Sequence, residues 1–408
     1  MTPAARVQAA IDLVDAILHA ARGQGASADT LARQFFRERR YMGSGDRRAV
    51  RDLAWRAVRR FGELPANGRA ALAGLAREDA DLAALFDGSS YGPARLSDAE
   101  PVASGGRIPG WIERLLPALF DEAEKAALLD RAALDLRFDP ARTDAQALRS
   151  VWPEIVFTDA LPRAARLPGN TPVEDSAPWQ QGVIDVQDWG SQAIVQACLD
   201  DTPPDLVIDL CAGAGGKTLA LSALMPDARI IASDTSRDRL QAMEPRRKRA
   251  GPDRIEPLLL DPKREWDKLA RFEGQAGLVL VDAPCSGSGT WRRNPETRWR
   301  LTGERLARLV AEQARLIEIA KRLVRPGGAL VYAVCSLLPD EGPRQAARGL
   351  CGEQGWTINT PNMTIGRLVG VDGGLLDMPQ GAGAAAGRLL TPHHDGTDGF
   401  FFTRAHRS

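Results

Sequence analysis

Leu206-Val207-Ile208-Asp209-Leu210-Cys211-Ala212-Gly213-Ala214-Gly215-Gly216-Lys217-Thr218 runs from a short apolar stretch straight into a glycine-rich loop. An apolar run of this length, closed by a turn, reads as a strand buried on both faces. Three glycines ahead of a helical pattern let the backbone approach a ligand closely and present N–H groups to it. Single positions exclude two familiar loops. A Walker A loop needs glycine where Cys211 stands, and a dinucleotide fingerprint beginning at Gly213 needs a small residue where Thr218 stands. The stretch therefore predicts a strand–loop–helix unit that receives a nucleoside-like ligand by another route.

Outward from this unit, Arg229–Ala232, Ile255–Leu260, Leu278–Val281 and Ala329–Val334 repeat the buried-strand pattern, with helical stretches between. The helix before the last strand carries Leu306, Leu309, Gln313, Leu316, Ala320 and Val324 on one face, and Pro326-Gly327-Gly328 stops it. The expected fold class is α/β: a doubly wound, mostly parallel, Rossmann-like sheet with ligands at the carboxyl ends of its strands. Asp234 closes the second strand, 21 residues past Gly213, where an acid accepts both hydroxyls of a ribose. Asp261 closes the third, placed to accept from an adenine amino group. The fourth strand leads into Asp282-Ala283-Pro284-Cys285-Ser286-Gly287-Ser288-Gly289 and the fifth into Cys335-Ser336. Cys198 and Cys351 fall on helical patterns and read as small buried hydrophobes. Cys285 and Cys335 each stand just past a parallel strand at the ligand edge, so two thiols 50 residues apart are expected to face one substrate.

Toward the N-terminus the pattern is helical. Val7, Ile11, Val14 and Leu18 make an apolar stripe. Ser44 and Asp46 offer N-cap oxygens to a helix with Val50, Ala54, Ala57 and Phe61 on one face and Arg48, Arg51, Trp55 and Arg59 on the other. Between residues 33 and 60 ten arginines face three acids, and Arg37, Arg39, Arg40 and Tyr41 lie beside the stripe. That combination predicts a surface for nucleic-acid phosphates rather than a merely solvated face. Acids then gather up to Glu100, and Gly105 and Pro109 suggest a boundary. Three domains are expected: a helical one over 1–105, a small α/β connecting module over 106–180 with an extended piece at Leu134–Phe138, and the α/β domain over 181–408. The stretch Gly381–Gly387 reads as a surface loop.

The chain of 408 residues has 53 basic and 53 acidic side chains, which excludes a uniformly basic coat protein but not a basic face on one domain. No apolar run approaches a membrane span, and Asp12 and Asp15 interrupt the first apolar stretch, unlike a signal peptide. Five cysteines without a CxxC pair argue against a disulfide framework or a metal site and make a reducing cytoplasm the expected setting. Only six residues are lysine, which singles out Lys217 in the loop.

The Asp282–Gly289 segment with Asn294-Pro295, together with Val186-Gln187-Asp188, Cys335-Ser336 and the closing Asp398-Gly399-Phe400-Phe401, resembles the Nop/Sun family of RNA cytosine-5 methyltransferases. Residues 1–70 and Leu136-Arg137-Phe138 resemble its bacterial small-subunit ribosomal RNA members, in which a NusB-like helical domain precedes the catalytic one. The resemblance implies S-adenosylmethionine as cofactor, held by Cys211, Ala212, Gly213, Ala214, Gly215, Gly216, Lys217, Asp234, Asp261 and Asp282. It implies Cys335 as the nucleophile on cytosine carbon 6, a protonated Asp282 at the ring's N3 and amino group, and Cys285 as the thiol that assists release. Lys217 would position Asp282 or lower a nearby thiol pKa. The implied partner is RNA, 16S rRNA or a small-subunit precursor, bound by a monomer without metal or membrane. Because a stacked base hides carbon 6, the target must be single-stranded or flipped out. Arg292, Arg293, Arg298 and Arg300, with Trp291 and Trp299, are then expected to hold phosphates and stack bases. Four positions depart from the family pattern. Ala214 replaces a proline, Ala333 and Val334 replace hydroxyl residues before Cys335, and Gly342 replaces an asparagine.

Other readings are weaker. DNA cytosine-5 methyltransferases use the cysteine after the fourth strand and need no second thiol. Amino-group methyltransferases carry a different motif there, and a dehydrogenase needs no thiol pair. A transfer-RNA cytosine-5 methyltransferase and a non-catalytic RNA-binding or assembly factor on the same fold are the alternatives kept open.

Overall fold

The computed structural model describes residues 1–23, 25–251, 254–350, 355–359, 363–376 and 386–408. Cys351 and residues 381–385 of the expected loop lie outside the described residues, while Gly387 opens a strand. The chain divides into two units, one of Met1–Leu116, Asp121–Asp130 and Thr290–Gly303, the other of Pro117–Phe120, Arg131–Gly289 and Glu304–Ser408.

The first unit is built from helices α1 (Pro3–Arg22), α2 (Ala28–Glu38), α3 (Ser44–Arg60) and α4 (Gly68–Ala76), with short helical turns beyond. Thr2 caps α1 by accepting from the Ala5 amide, with Pro3 at the first helical position. The stripe Val7, Ile11, Val14 and Leu18 is buried as the periodicity predicts. Ser44 is the first residue of α3 rather than its cap, and Asp46 in that first turn accepts from Arg6 Nε at 2.8 Å. Val50, Ala54 and Ala57 enter the same core. Trp55 enters it too, at 7% exposure, contrary to its expected place on the open arginine face. Its ring packs inward, leaving only the Arg51 guanidinium 4.9 Å from its centroid.

The segment Thr290–Gly303 overturns another expectation. Its 3-10 helix Pro295–Arg300 sends Arg298 and Trp299 inward. Arg298 is fully buried and donates to the carbonyls of Val58, Phe61 and Pro295, while Trp299 Nε1 donates to Gly62 O at 2.8 Å. Trp291 is 1% exposed. Arg298 and Trp299 satisfy carbonyls at and just past the end of α3, which no amide of that helix can reach, and all three side chains are buried away from bases or phosphates. Arg300 likewise donates to Gly25 O and Ala26 O.

In the second unit, β1 (Leu134–Phe138), β2 (Val156–Phe157), β3 (Ala164–Leu167) and β4 (Ile184–Val186) form an antiparallel sheet in the order β2-β3-β1-β4. The larger sheet contains β5 (Leu206–Asp209), β6 (Arg229–Asp234), β7 (Ile255–Leu259), β8 (Ala276–Asp282), β9 (Val324–Val334), β10 (Trp356–Ile358), β11 (Arg367–Val369), β12 (Gly387–Leu390) and β13 (Phe400–Arg407). Its order is β11-β12-β13-β9-β8-β5-β6-β7, with β10 also on β13. The five strands from β7 to β9 run parallel, as predicted, and β13 adds antiparallel to β9. Consecutive residues Val207 and Ile208, like Leu280 and Val281, are wholly buried because helices cover both faces. The order reverses between β5 and β8, the switch point at which such sheets open a crevice beyond their carboxyl ends.

Replacing Arg298 with Met should cost about 3 kcal/mol, since carbonyls that it satisfies would be left buried without donors. Urea denaturation checks this, and an unchanged midpoint would mean that the guanidinium holds nothing.

Candidate active site and RNA-facing surface

β5 ends at Asp209, and the loop that follows turns on two left-handed glycines, Gly213 at φ +56° and Gly215 at φ +80°. A Cβ at Gly215 would stand 2.3 Å from Met243 Cγ, so only glycine fits there. At Gly213 the corresponding position is open space. The Gly213 amide donates to Asp234 Oδ2 at 2.9 Å, tying the loop to the end of β6. Thr218, one turn into the helix Gly216–Leu224, donates to Asp209 Oδ2 at 2.6 Å. Among the described residues Asp209 Oδ1 is buried without a partner. Burial drives this acid up to about 7, and the nearby charge of Asp282 adds to the effect.

A cavity of about 620 Å³ opens here, at the carboxyl ends of β5, β6, β8 and β9. Of the residues named from the sequence, Cys211, Ala212, Gly213, Ala214, Gly216, Lys217, Asp234, Asp282, Cys285 and Cys335 all line it. Gly215 faces Met243 instead. Asp261 stands apart: it is exposed, pairs with Lys268 at 3.1 Å, and leaves Leu260 to line the wall. Asp209, Glu265 and Glu312 line it as well, and sequence reasoning did not single them out. Glu265 and Glu312 are both held by Arg315, at 2.6 Å each, and no local motif marks such a three-residue arrangement. Asp209 had a signal, an acid inside an otherwise apolar strand.

The fourth- and fifth-strand motifs meet because β8 pairs with β9 in parallel, Asp282 opposite Ala333. Cys285 Sγ and Cys335 Sγ stand 3.3 Å apart. That hydrogen bond, with burial, pushes the Cys285 thiol well above its ordinary value. Lys217 Nζ donates to Asp282 Oδ2 at 2.6 Å. Burial pulls the lysine down, but the Asp282 charge and hydrogen bond outweigh it and hold the ammonium above its usual range. In this structure Asp282 is thus one half of an ion pair. The closing motif joins the same cluster. Gly289 N donates to Cys335 O at 3.0 Å and Gly399 N donates to Gly289 O at 2.8 Å, a backbone approach so close that a Cβ on Gly289 would collide with Gly399 O. Asp188 caps the helix Trp189–Ala197 and accepts from the Asp398 amide at 3.1 Å. Three of the four departures have packing reasons. Ala333 and Val334 are wholly buried in the sheet, and a Cβ on Gly342 would stand 2.8 Å from Phe401 Cγ.

The donor set fits a nucleoside with a charged tail: an acid at the end of β6, an open glycine edge, an orphaned buried Asp209 oxygen and the Lys217–Asp282 pair. Among the described residues no group of side chains suits a metal ion, and no helix is long and apolar enough to cross a membrane.

On the first unit the arginine stripe is partly neutralised. Arg51 pairs with Asp29, Arg56 with Asp79 and Arg60 with Glu78. Arg33, Arg37, Arg40 and Arg48 are exposed with no acidic partner among the described residues, and Tyr41 beside them is 72% exposed.

A parallel α/β sheet with a glycine loop after its first strand and an acid after its second defines the Rossmann-like class of nucleoside-binding folds. Residues 196–406 match the family described as 16S rRNA methyltransferase RsmB/F, and the chain belongs to that family. It is 31% identical over 328 residues to the probable ribosomal RNA small subunit methyltransferase B of Synechocystis, covering 75% of this chain and 68% of the relative. To the ribosomal RNA small subunit methyltransferase B of Xanthomonas campestris it is 31% identical over 309 residues, covering 74% and 67%. Among solved structures, PH0851 superposes with a TM-score of 0.76 at 19% identity over all of both chains. NSun6 from Pyrococcus horikoshii, solved with SFG, gives 0.61 at 17% identity, covering 73% of this chain and 96% of that one. At such identities these two speak for the fold.

Asp209 gives a pH test. Its acid is neutral in the folded protein up to about pH 7 but ionises near pH 4 when unfolded, so its contribution is complete below about pH 4 and is lost as pH rises to about 7. The stability advantage of the wild type over Asp209→Asn, whose amide stays neutral, should shrink by about 1 kcal/mol per pH unit across that window. Denaturation of both proteins at several pH values checks it; a flat difference would refute it.

Proposed function

We propose that this protein methylates carbon 5 of a cytosine in small-subunit ribosomal RNA, using S-adenosylmethionine and a transient bond between Cys335 and the cytosine ring. The observation that carries the reading is the pair of thiols 3.3 Å apart at the ends of adjacent strands, beside Asp282 and in one cavity with the glycine loop. Family membership and the names of the relatives support ribosomal RNA of the small subunit as the substrate class.

Carbon 5 of cytosine is a weak nucleophile. Cys335 Sγ bonds to carbon 6 as its thiolate, and electron density moves to carbon 5. In its protonated form Asp282 would give a proton to N3 as thiolate addition places negative charge on the ring, and recover it when the adduct collapses; Lys217 holds one of its oxygens. The cofactor supplies an electrophilic methyl group on a sulfonium. Asp234 would take its ribose hydroxyls, and the loop from Cys211 to Lys217 would hold the remainder. After transfer, the carbon-5 proton passes to solvent, its bonding pair forms the carbon 5–carbon 6 double bond, and Cys335 leaves as a thiolate that accepts a hydrogen bond from the Cys285 thiol 3.3 Å away. The exposed Arg33, Arg37, Arg40, Arg48 and Tyr41 of the first unit are suited to phosphates and a stacked base.

Cys335→Ala should abolish methyl transfer with cofactor affinity near that of the wild type, as tritium transfer and calorimetry would report. Cys285→Ala should accumulate a protein–RNA adduct that survives denaturing gels; methyl transfer at the wild-type rate by the first variant, or RNA running free with the second, would overturn the assigned roles. Small-subunit RNA, transfer RNA and a pre-ribosomal particle offered side by side identify the substrate. Arg40→Glu with Arg48→Glu should weaken RNA binding and flatten its log–log salt dependence by about two, while unchanged affinity and slope would make this face merely solvated.

A further inference from the structure

Glu341 lies outside the cavity wall and has no part in the chemistry above, yet it is completely buried. Its carboxylate accepts four hydrogen bonds. Oε1 takes the Ser286 amide at 2.8 Å and Gln313 Nε2 at 3.0 Å. Oε2 takes the hydroxyls of Ser286 at 2.5 Å and Ser336 at 2.6 Å. Ser286 directly follows Cys285, and Ser336 directly follows Cys335. One carboxylate therefore grips the residue next to each thiol. Gln313 extends the grip, because the same Nε2 also donates to Pro284 O at 3.0 Å, just before Cys285. Ser288 Oγ lies 3.1 Å from Ser336 Oγ and accepts from the Leu337 amide at 2.9 Å. From the sheet, Tyr332 donates its hydroxyl to the Glu341 carbonyl at 2.5 Å, fixing the backbone that carries the carboxylate.

All four donors are neutral, and among the described residues no lysine or arginine pairs with this carboxylate. Burying a carboxylate without a cation is costly, and only a full complement of well-placed donors makes it tolerable. Such a group is a stiff element: each donor that drifts away restores part of the desolvation cost, so the donors are held in place together. The hydroxyl residues missing ahead of Cys335, where Ala333 and Val334 pack into the sheet, are thus matched by hydroxyls just after both thiols.

We infer that Glu341 is a positioning residue that locks the Cys285 and Cys335 loops to one another and sets the distance between the two thiols. Its consequence for turnover rests on the methyl-transfer reading; its effect on thiol spacing does not. Diamide measures that spacing on the full chain without any ligand: two thiols lose two protons and two electrons, one S–S bond forms, and the N=N bond of diamide is reduced to the hydrazine. The wild type should form the Cys285–Cys335 link rapidly, identified by the mass of the joined peptides. In Glu341→Gln the link should form about tenfold more slowly or worse, with partial recovery in Glu341→Asp. On substrate RNA, kcat should fall by a similar factor, with KM for RNA within about twofold of the wild type. A folded Glu341→Gln protein that links its thiols at the wild-type rate overturns the proposal. Should that variant fail to fold in a thermal melt, the double variant Ser286→Ala with Ser336→Ala, which keeps the carboxylate and removes two of its donors, decides by the same rate. Slow linkage in the variants of a protein whose wild type methylates no RNA would sustain the positioning role and refute the methyl-transfer reading instead.

Discussion

The parallel pairing of β8 with β9 is the constraint from which the site follows. In a parallel pair both chains leave the sheet at the same edge, so residues a few positions beyond Asp282 and Ala333 must share one rim. Cys285 and Cys335 are those residues, and no turn or linker between them is needed to bring them together. β5 beside β8 adds the glycine loop to the same rim, with Lys217 reaching across to Asp282. β13 lies against the other side of β9, and Gly399, just before it, fastens Gly289 from behind. Segments more than a hundred residues apart in sequence become neighbours because a few ladders of hydrogen bonds fix their register.

The site's charge is unbalanced in a way that suits its proposed task. Asp209, Asp234, Asp282, Glu265 and Glu312 share one cavity wall with Lys217, Arg239 and Arg305, and burial leaves Asp209 an acid that ionises only near neutrality. Behind them Glu341 is held by neutral donors alone. An interior so rich in carboxylate is stable only while each oxygen is either neutral, paired or surrounded by donors, and all three solutions occur here, in Asp209, in Asp282 and in Glu341. The overall neutrality of the chain hides this, just as it hides the exposed arginines of the first unit.

Strand and helix periodicity were readable because burial on both faces demands continuous apolar runs, and burial on one face demands a stripe. Reading failed where a polar or aromatic side chain had two possible fates. Trp55 and Trp299 sit among arginines in sequence, and their neighbours suggested an open face; the structure turns both rings inward. Arg298 looked like a phosphate ligand and instead satisfies the carbonyls around the end of α3. Asp261 shares its place at a strand end with Asp234, yet β7 lies at the sheet's edge, where an acid past the last residue meets Lys268 and solvent.

By itself the sequence determined the strand–loop–helix unit at 206–218, the order of buried strands and helices, and the family to which the chain belongs, because all of these rest on local patterns or on motifs of fixed spacing. Only the tertiary structure decided how close the two thiols stand, that Glu341 joins their loops, and that the segment after Gly289 is built into the helical unit. Those facts depend on which strands pair and which side chains reach unsatisfied backbone groups far away in the chain, and neither spacing nor residue type encodes a long-range register.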